Sequence, residues 1–498
     1  MTEPEIEQSS LTETVVRGVG LAGAGYVLAQ VITLGFYLAL ARLATPQDFG
    51  EFAAGALVVS TGLIFAESGM LAALIHRKDR IDEAASTAVV ATAAAGVGLT
   101  VLALALSPLL GLFFDSATIG GIAAAMSGVL LLRSLMVVPE ALLQRSFSFL
   151  RRMVIEPAGA VALGVAATIA CANGMGPWGL VIGYYAAAVV DVALSWGLVR
   201  WRPRLRLASM AMWRELVRYG RFIVATNVVA RTAEQVPTLL LGRFVGTDAL
   251  GQYRYADRMV STPIALVVQA GSYVLFPAFA RIAGDRERFR GAASRSLGLM
   301  CALAFPLGLL LIPLGVPAAV LLFGEPWREA GYAAMALALI PLAGTPVSFA
   351  SEALKADGRP DILTRIHLVM ALASVAAALA LLPLGLIGVA AGLSVGATVG
   401  AAYATVRTSR LIGLSAQQVA AAMVPPLVAA LAMVAVLTPV EFLLVDAADR
   451  ATLPGLVALG AETLAGLGIF LAVLRLIAPA MAIELVALTR RTLRLGGE

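Results

Sequence analysis

Charged residues are scarce in this chain. Asp, Glu, Lys and Arg together make up 13% of its 498 residues, whereas soluble globular domains contain about 25%. Hydrophobic residues make up 60%, and the mean hydropathy is +0.90. This composition excludes a soluble protein of this length, because the chain has too little polar surface to face water. It predicts an integral membrane protein whose lipid-facing surface is apolar.

Histidine and cysteine are almost absent, with two residues of each. Their scarcity argues against a histidine-based metal or acid–base site and against a disulfide framework. The chain also lacks the phosphate-binding pattern G-x-x-x-x-G-K-S/T, so it is not expected to hydrolyse ATP. The longest predicted connection on the outer side of the membrane, about 441–452, is too short for the catalytic groups of a membrane glycosyltransferase. We expect a protein that is not an enzyme and has no cofactor, metal or nucleic-acid partner.

Apolar runs long enough to cross a bilayer recur along the chain. A helix of about 20 apolar residues spans about 30 Å of hydrocarbon, and runs of that length predict an all-α polytopic protein with about fourteen transmembrane helices. The predicted spans lie near 18–42, 48–76, 84–107, 117–143, 154–172, 177–199, 217–242, 249–280, 294–323, 329–354, 362–383, 385–406, 416–440 and 453–479.

Basic residues alternate between the two sides of this map. Of the 36 Lys and Arg residues, 28 fall on the even-numbered side, four on the odd-numbered side and four inside spans. Because basic loops stay in the cytoplasm, the alternation predicts an even number of helices with both termini cytoplasmic.

One hairpin sequence occurs twice. Residues 40–52 read L-A-R-L-A-T-P-Q-D-F-G-E-F, and residues 241–253 read L-G-R-F-V-G-T-D-A-L-G-Q-Y, at a constant offset of 201. They follow the first and the seventh span, which predicts two parallel six-helix repeats with a substrate site at their interface. The predicted domains are a cytoplasmic tail (1–17), a first lobe (18–199), a basic linker (200–216), a second lobe (217–412), and two last helices with a basic cytoplasmic tail (413–498).

Several charged residues fall inside the predicted spans. A charge at bilayer depth costs about 2.5–3.5 kcal/mol on insertion scales, so each should face a cavity or a partner. In the repeat, Arg254, Asp257 and Arg258 correspond to Ala53, Ala56 and Leu57, so only the second half is charged there. The charged residues of interest are Glu67, Arg133, Asp191, Arg231, Glu234, Arg254, Asp257 and Arg258.

Two interpretations of these charges stay open. In the first, the guanidinium groups bind an anion such as a pyrophosphate, because their planar donors engage phosphate oxygens in pairs. In the second, Arg231 with Glu234 and Arg254 with Asp257 are ion pairs that only fix helix packing. Arg133 and Arg258 belong to neither pair and have no other obvious local acid, which favours the first interpretation for them. Glu67 and Asp191 are candidate proton or cation sites.

Several motifs distributed over nearly the whole chain resemble one family. They are A-L-I-H-R-K-D (73–79), V-V-P-E-A-L-L-Q-R-S-F-S-F (137–149), W-R-P-R-L-R (201–206), G-R-F-V-G-T-D-A-L-G-Q-Y (242–253), the segment 253–258, F-P-A-F-A-R-I (276–282), L-F-G-E-P-W (322–327) and D-G-R-P (357–360). Together they resemble the polysaccharide transporter (PST) family, which contains Wzx-type flippases. This family lies within the MOP flippase superfamily, which also holds the MATE exporters.

The resemblance implies a fold and a function. The fold would be two six-helix lobes arranged as a V around a cavity, with two further helices. The function would be export of undecaprenyl-pyrophosphate-linked oligosaccharide across the bacterial inner membrane by alternating access, coupled to a proton or cation gradient. Capsule, exopolysaccharide or O-antigen synthesis would use the product, with a polysaccharide polymerase or co-polymerase as a candidate partner.

The resemblance also suggests roles for the charged residues. Arg258, Arg254, Arg231 and Arg133 would contact the anionic group of the substrate, while Glu234, Asp257, Asp191 and Glu67 would serve ion coupling or gating. Two alternatives are a MATE-like exporter of small molecules, which predicts a cavity of net acidic character, and a non-transporting scaffold of a polysaccharide assembly complex.

Overall fold

The structure is a computed structural model that describes residues 28–77, 79–145, 149–282, 284–357, 359 and 361–495. These residues are helical apart from turns and short connections, and they contain no β-strand. The helices are α1 (Leu28–Leu43), α2 (Pro46–Gly55), α3 (Leu57–His76), α4 (Ile81–Phe114), α5 (Ala117–Arg145), α6 (Phe149–Ala172), α7 (Pro177–Leu198), α8 (Met210–Glu234), α9 (Val236–Leu240), α10 (Thr247–Ile282), α11 (Arg286–Leu309), α12 (Leu311–Phe323), α13 (Arg328–Ala336), α14 (Leu339–Ala356), α15 (Asp361–Leu381), α16 (Gly385–Ile412), α17 (Ala416–Val440), α18 (Thr452–Ile477) and α19 (Pro479–Leu495).

The described residues form a polytopic membrane protein, which confirms the predicted fold class. Nine helical stretches among them are long and apolar enough to cross a bilayer, or ten if α13 and α14, which bend by 48° at their junction, form one span with the turn before them. The number of fourteen spans stays a prediction. The difference arises partly because the first predicted span, 18–42, lies partly outside the described residues, and partly because one apolar stretch, Ile362–Ile412, contains both α15 and α16.

The chain divides into two compact units, Met1–Gly251 and Gln252–Glu498. In the first unit, small residues allow the helices to approach closely, as is common in membrane bundles. Gly111 of α4 and Gly120 of α5 lie back to back, and Gly69 of α3 lies against the backbone of Gly220 in α8.

The basic linker, 200–216, lies within the first unit and packs against the start of α4. The Trp201 indole donates a hydrogen bond to Asp82 (2.9 Å), and the backbone N–H of Arg204 donates one to the Ser86 hydroxyl (3.1 Å) at the start of α4. Arg77 donates to Glu215 in α8 (3.2 Å), and this hydrogen bond lowers the pKa of the Glu215 carboxyl. The position of the boundary between two transport lobes stays a prediction.

The two copies of the repeated hairpin cross each other at equivalent glycines. A Cβ atom on Gly50 would overlap the carbonyl oxygen of Thr247, and a Cβ atom on Gly251 would overlap the carbonyl oxygen of Pro46. Residues 50 and 251, and also 46 and 247, are related by the same offset of 201. The crossing is therefore reciprocal, and it shows that the sequence repeat is also a structural repeat at this point.

In the second unit, a row of glycines joins α15 to α16. Gly392, Gly396 and Gly400 recur every four residues along α16, and Cβ atoms at these positions would overlap Ala378, Ser374 and Met370 of α15. This is the small-residue spacing that lets two membrane helices pack backbone to backbone. Nearby, the short α12 follows α11 after a break at Leu310.

Candidate functional site

Arg133 and Asp191 form an ion pair inside the first unit. Arg133 lies in α5 and Asp191 in α7, and the guanidinium Nη2 is 3.3 Å from the carboxylate Oδ2. The Asp191 side chain is 8% exposed and the Arg133 side chain is 27% exposed. Arg133 thus has an acidic partner that its own helix does not supply, because the contact joins residues far apart in the sequence.

A glycine on α6 makes room for the Asp191 carboxylate. A Cβ atom on Gly159 would overlap Oδ1 of Asp191, and that oxygen is buried without a hydrogen-bond partner among the described residues. The carboxylates of Glu140 and Glu156 lie near enough to repel it. These four residues, Arg133, Glu140, Glu156 and Asp191, form what we term the α5–α7 charge cluster, in which acids outnumber bases.

The second predicted pair lies on α8. Arg231 Nη1 is 3.4 Å from Glu234 Oε2, and the two side chains are 63% and 59% exposed. The i,i+3 spacing had predicted this contact. Charged residues in membrane helices nearly always face the protein interior or water rather than lipid. If α8 spans the membrane, this part of its surface is therefore in contact with water.

The remaining predicted charges lie on one side of α10. Successive residues of a helix are about 100° apart, so Arg254, Asp257 and Arg258 share a face. All three are partly buried, and none is without a partner. Gln252 lies on the opposite face, and Tyr255 lies about 60° from Arg258 around the helix axis. Both are buried in the second unit.

The buried face of α10 is held by contacts that the sequence analysis did not predict. The Gln252 amide donates to the carbonyl oxygen of Pro326 (2.7 Å) and accepts from the backbone N–H of Ala330 (2.9 Å). The Tyr255 ring packs on Trp327, with ring centroids 3.7 Å apart, and meets Phe323 edge to face at 4.8 Å. These contacts give the L-F-G-E-P-W motif a structural role, since they fix the orientation of the charged face of α10.

The structure thus places seven of the eight predicted site residues in two ion pairs and on one helix face. Arg133 pairs with Asp191, Arg231 pairs with Glu234, and Arg254 shares its face of α10 with Asp257 and Arg258. Glu67 lies in α3, but its side chain is outside the described residues. The described residues contain no group of three or more His, Cys, Asp or Glu residues that could hold a metal ion.

Comparisons with known proteins agree on the family. The sequence model of a family described as "Polysaccharide biosynthesis protein" matches residues 39–331. The succinoglycan biosynthesis transport protein ExoT of Rhizobium meliloti is 28% identical over 382 residues, which cover 73% of this chain and 74% of ExoT. The lipopolysaccharide biosynthesis protein WzxC of Escherichia coli is 25% identical over 334 residues, which cover 64% of this chain and 65% of WzxC.

Solved structures agree on the fold. The lipid II flippase MurJ, in an inward closed conformation, superposes with a TM-score of 0.74 at 13% identity, over 92% of this chain and 98% of MurJ. An inward-facing multidrug resistance MATE transporter of the MOP superfamily gives a TM-score of 0.59 at 18% identity, over 78% of this chain and 94% of that one. At this level of identity, both likenesses concern the fold alone. Because the family model matches more than half of its length, the chain belongs to the polysaccharide biosynthesis protein family, as its motifs had suggested.

Proposed function

We propose that this protein is a flippase that moves a lipid-linked oligosaccharide from the cytoplasmic to the outer leaflet of the bacterial inner membrane. The observation that carries the proposal is the charged face of α10, with two arginines four residues apart at predicted membrane depth. The family match and the relatives named for polysaccharide synthesis support the same class of cargo. Alternating access would move the cargo, as in other transporters built from repeats.

The anionic group of the cargo, proposed here as an undecaprenyl-linked pyrophosphate, would bind Arg254 and Arg258. A guanidinium group presents two parallel N–H donors that match two phosphate oxygens, and such charge-assisted hydrogen bonds are roughly twice as strong as neutral ones. The buried packing of Gln252 and Tyr255 would hold α10 in place, so that less entropy is lost when the anion binds. Arg231 of α8 stays a separate candidate for contact with an anion.

A proton or cation gradient would drive the transport, with the α5–α7 charge cluster as the coupling site. Asp191 has one buried carboxylate oxygen without a hydrogen-bond partner in the described part of the chain, and a proton there would remove the repulsion from Glu140 and Glu156. Arg133 would act in this cluster rather than on the cargo. Glu67, Glu234 and Asp257 stay candidates for gating.

The test is a flipping assay in proteoliposomes with labelled undecaprenyl-pyrophosphate oligosaccharide. Wild type is compared with Arg258→Ala and with Leu57→Ala, the repeat-related position, after all three are shown to be folded. A lost charge-assisted hydrogen bond is worth about 1.5–3 kcal/mol, so Arg258→Ala should flip at least about tenfold more slowly. Leu57→Ala should flip at a rate close to that of wild type.

The other outcomes of the flipping assay distinguish between the candidate functions. Flipping by both wild type and Arg258→Ala would support the function and remove Arg258 from the binding site. No flipping by wild type, with several glycans and an imposed gradient, would contradict the proposal. That result would favour a MATE-like exporter, for which the acidic α5–α7 charge cluster would suit a cationic substrate, or a scaffold of the assembly complex.

A further inference from the structure

Two carboxyl groups lie buried between the last two long helices, in a part of the chain outside the repeat. Glu441 follows the end of α17 and is 3% exposed, and Glu462 lies in α18 and is 6% exposed. Glu462 is ten residues into α18, about 15 Å along the helix axis. Neither residue belongs to the groups proposed above for the cargo or for ion coupling.

The packing of α17 on α18 explains why these groups meet. A Cβ atom on Gly466 would lie 2.5 Å from Cδ1 of Leu437 and 3.4 Å from Cγ of Met433, so the helices approach closely at this glycine. The two helices are antiparallel neighbours. One turn after Leu437 is Glu441, and one turn before Gly466 is Glu462, so the two carboxyl groups come to the same level and contact each other.

The partners of the two carboxyl groups satisfy only one of their four oxygens. The helical backbone continues past α17 as one π-helical turn, Glu441–Val445, and Glu441 Oε1 accepts the backbone N–H of Ala447 (2.9 Å). Glu441 Oε2 and both oxygens of Glu462 are buried and accept no hydrogen bond from the described residues. Such burial is costly for a carboxylate, because no donor replaces the lost water.

The charged groups nearby do not compensate these oxygens. The Arg450 side chain lies near enough to attract Glu462, but its Nε donates to the carbonyl oxygen of Val445 (2.6 Å). Arg328 is engaged by Glu325 (2.6 Å) and Asp449 (2.9 Å). Asp446, in the turn after the π-helical residues, is exposed, and α12, which packs against α18, has no ionisable residue.

Two adjacent buried carboxylates cannot both stay ionised, because like charges at contact distance repel strongly in a low-dielectric site. As carboxylates, neither could donate a hydrogen bond to the other. A single proton would solve both problems, since the O–H of one glutamic acid would donate to the carboxylate of the other. We propose that Glu441 and Glu462 form a proton-binding site that holds one shared proton between α17 and α18.

A metal cation fits this site less well than a proton does. The two carboxyl groups and the buried hydroxyl of Thr438, one turn before Glu441, supply few oxygens, and no third acid joins them in the described residues. Loss of the proton would place two negative charges side by side and weaken the contact between α17 and α18. The site therefore makes the packing of the last two helices sensitive to pH, whatever the protein transports.

The test is infrared difference spectroscopy of the purified full-length protein in nanodiscs, recorded as the pH is raised. Wild type and the control Glu329→Gln, which removes an exposed acid, should both show a protonated carboxyl band that persists at neutral pH and disappears at alkaline pH. Glu462→Gln and Glu441→Gln should lose this band. Thermal unfolding should show the same pattern, with a Tm that falls with rising pH in wild type and changes less in Glu462→Gln.

Three results would overturn the proposal. One is a band that remains in both glutamine variants, which would assign the proton to another group. The second is an equal dependence of Tm on pH in wild type and Glu462→Gln. The third is a sodium effect without a protonated band, in which sodium chloride, relative to choline chloride, raises the Tm of wild type but not that of Glu462→Gln. That result would identify a sodium site. If Glu462→Gln does not fold, Glu441→Gln provides the same comparison.

Discussion

The two hairpin copies continue into helices. Over residues 46–57 and 247–258 they share a backbone contact and differ in chemistry. Both carry a glycine at the point where they cross, and each glycine accommodates a carbonyl oxygen of the other hairpin. The first continues with Ala53, Ala56 and Leu57, whereas the second continues with Arg254, Asp257 and Arg258. The two copies thus share the glycines that determine their packing and differ on a partly buried face.

The hairpins also differ in the helices that they form. The first breaks at Ala56 between α2 and α3, and Thr45 caps α2 through a capping box with Asp48. The second continues without a break as α10, with 36 residues. At offset 201, Glu51 of the first hairpin, which accepts an exposed hydrogen bond from Gln47, corresponds to Gln252 of the second, which is buried. The second hairpin is therefore the more firmly held of the two, and it is the one that carries the charges.

The largest predicted effect concerns the feature that the two hairpins share. Gly50→Ala and Gly251→Ala would each place a Cβ atom on a backbone carbonyl that cannot move aside, so each should destabilise the protein by about 3 kcal/mol or more. Gly98→Ala is the control, because a Cβ atom there meets nothing within 4 Å. Tm in detergent and the yield of monodisperse protein would measure this. Two variants as stable as Gly98→Ala would contradict the reciprocal crossing.

The next effect concerns the first unit. Its charges at predicted membrane depth include the ion pair of Arg133 with Asp191, which does not lie on the hairpin. Breaking a buried ion pair costs about 3–5 kcal/mol of stability. Because Arg133 is partly exposed, we expect Arg133→Met to cost about 3 kcal/mol or less. Asp191→Asn should cost less, because it removes the more deeply buried charge. In a double-mutant cycle the two changes should be less than additive. Strict additivity would show that the two residues do not interact.

A smaller effect should distinguish the buried position 252 of the second hairpin from the equivalent position 51 of the first. Gln252→Ala removes the acceptor of the Ala330 N–H and the donor to Pro326, which should cost about 1–3 kcal/mol. Glu51→Ala, at the equivalent position of the first hairpin, should change stability by about 0.5 kcal/mol or less, since it is a surface substitution. Thermal unfolding of the two variants measures the difference, and equal losses would show that α10 is not held more firmly than α2.

The smallest effect on stability is expected at the exposed pair of α8. Arg231→Ala should cost about 0–1 kcal/mol, the range for exposed ion pairs. If Arg231 contributes to anion binding, the same variant should nevertheless slow the flipping of lipid-linked oligosaccharide in proteoliposomes. An equal loss in Glu234→Ala would instead assign the effect to the pair itself rather than to the cation.

The helical class and the repeat could be predicted from the sequence because both depend on local patterns. Apolar runs mark helices, and the hairpin copies share Arg42 and Arg243 as well as their glycines. The i,i+3 contact of Arg231 with Glu234 was predictable for the same reason. Contacts between distant segments were not, so the partner of Arg133, the role of Gln252 and the burial of Glu462 were missed.

The connection predicted at about 441–452 begins later in the structure for a local reason. The apolar run predicts a helix that ends near residue 440. The structure continues the helix through a π-helical turn to Val445, since the Glu441 carboxylate turns inward and accepts the backbone N–H of Ala447. A buried acid at a helix end has no distinct signal in a single sequence.

The central claim is that the charges of the second hairpin bind the anionic group of the cargo. Its most direct test is the affinity of undecaprenyl-pyrophosphate oligosaccharide for the protein in nanodiscs, measured for wild type, Arg258→Ala and Leu57→Ala. We predict that Arg258→Ala raises Kd by at least about tenfold, a loss of about 1.4 kcal/mol, and that Leu57→Ala leaves Kd unchanged. Equal affinities for wild type and Arg258→Ala would contradict the claim.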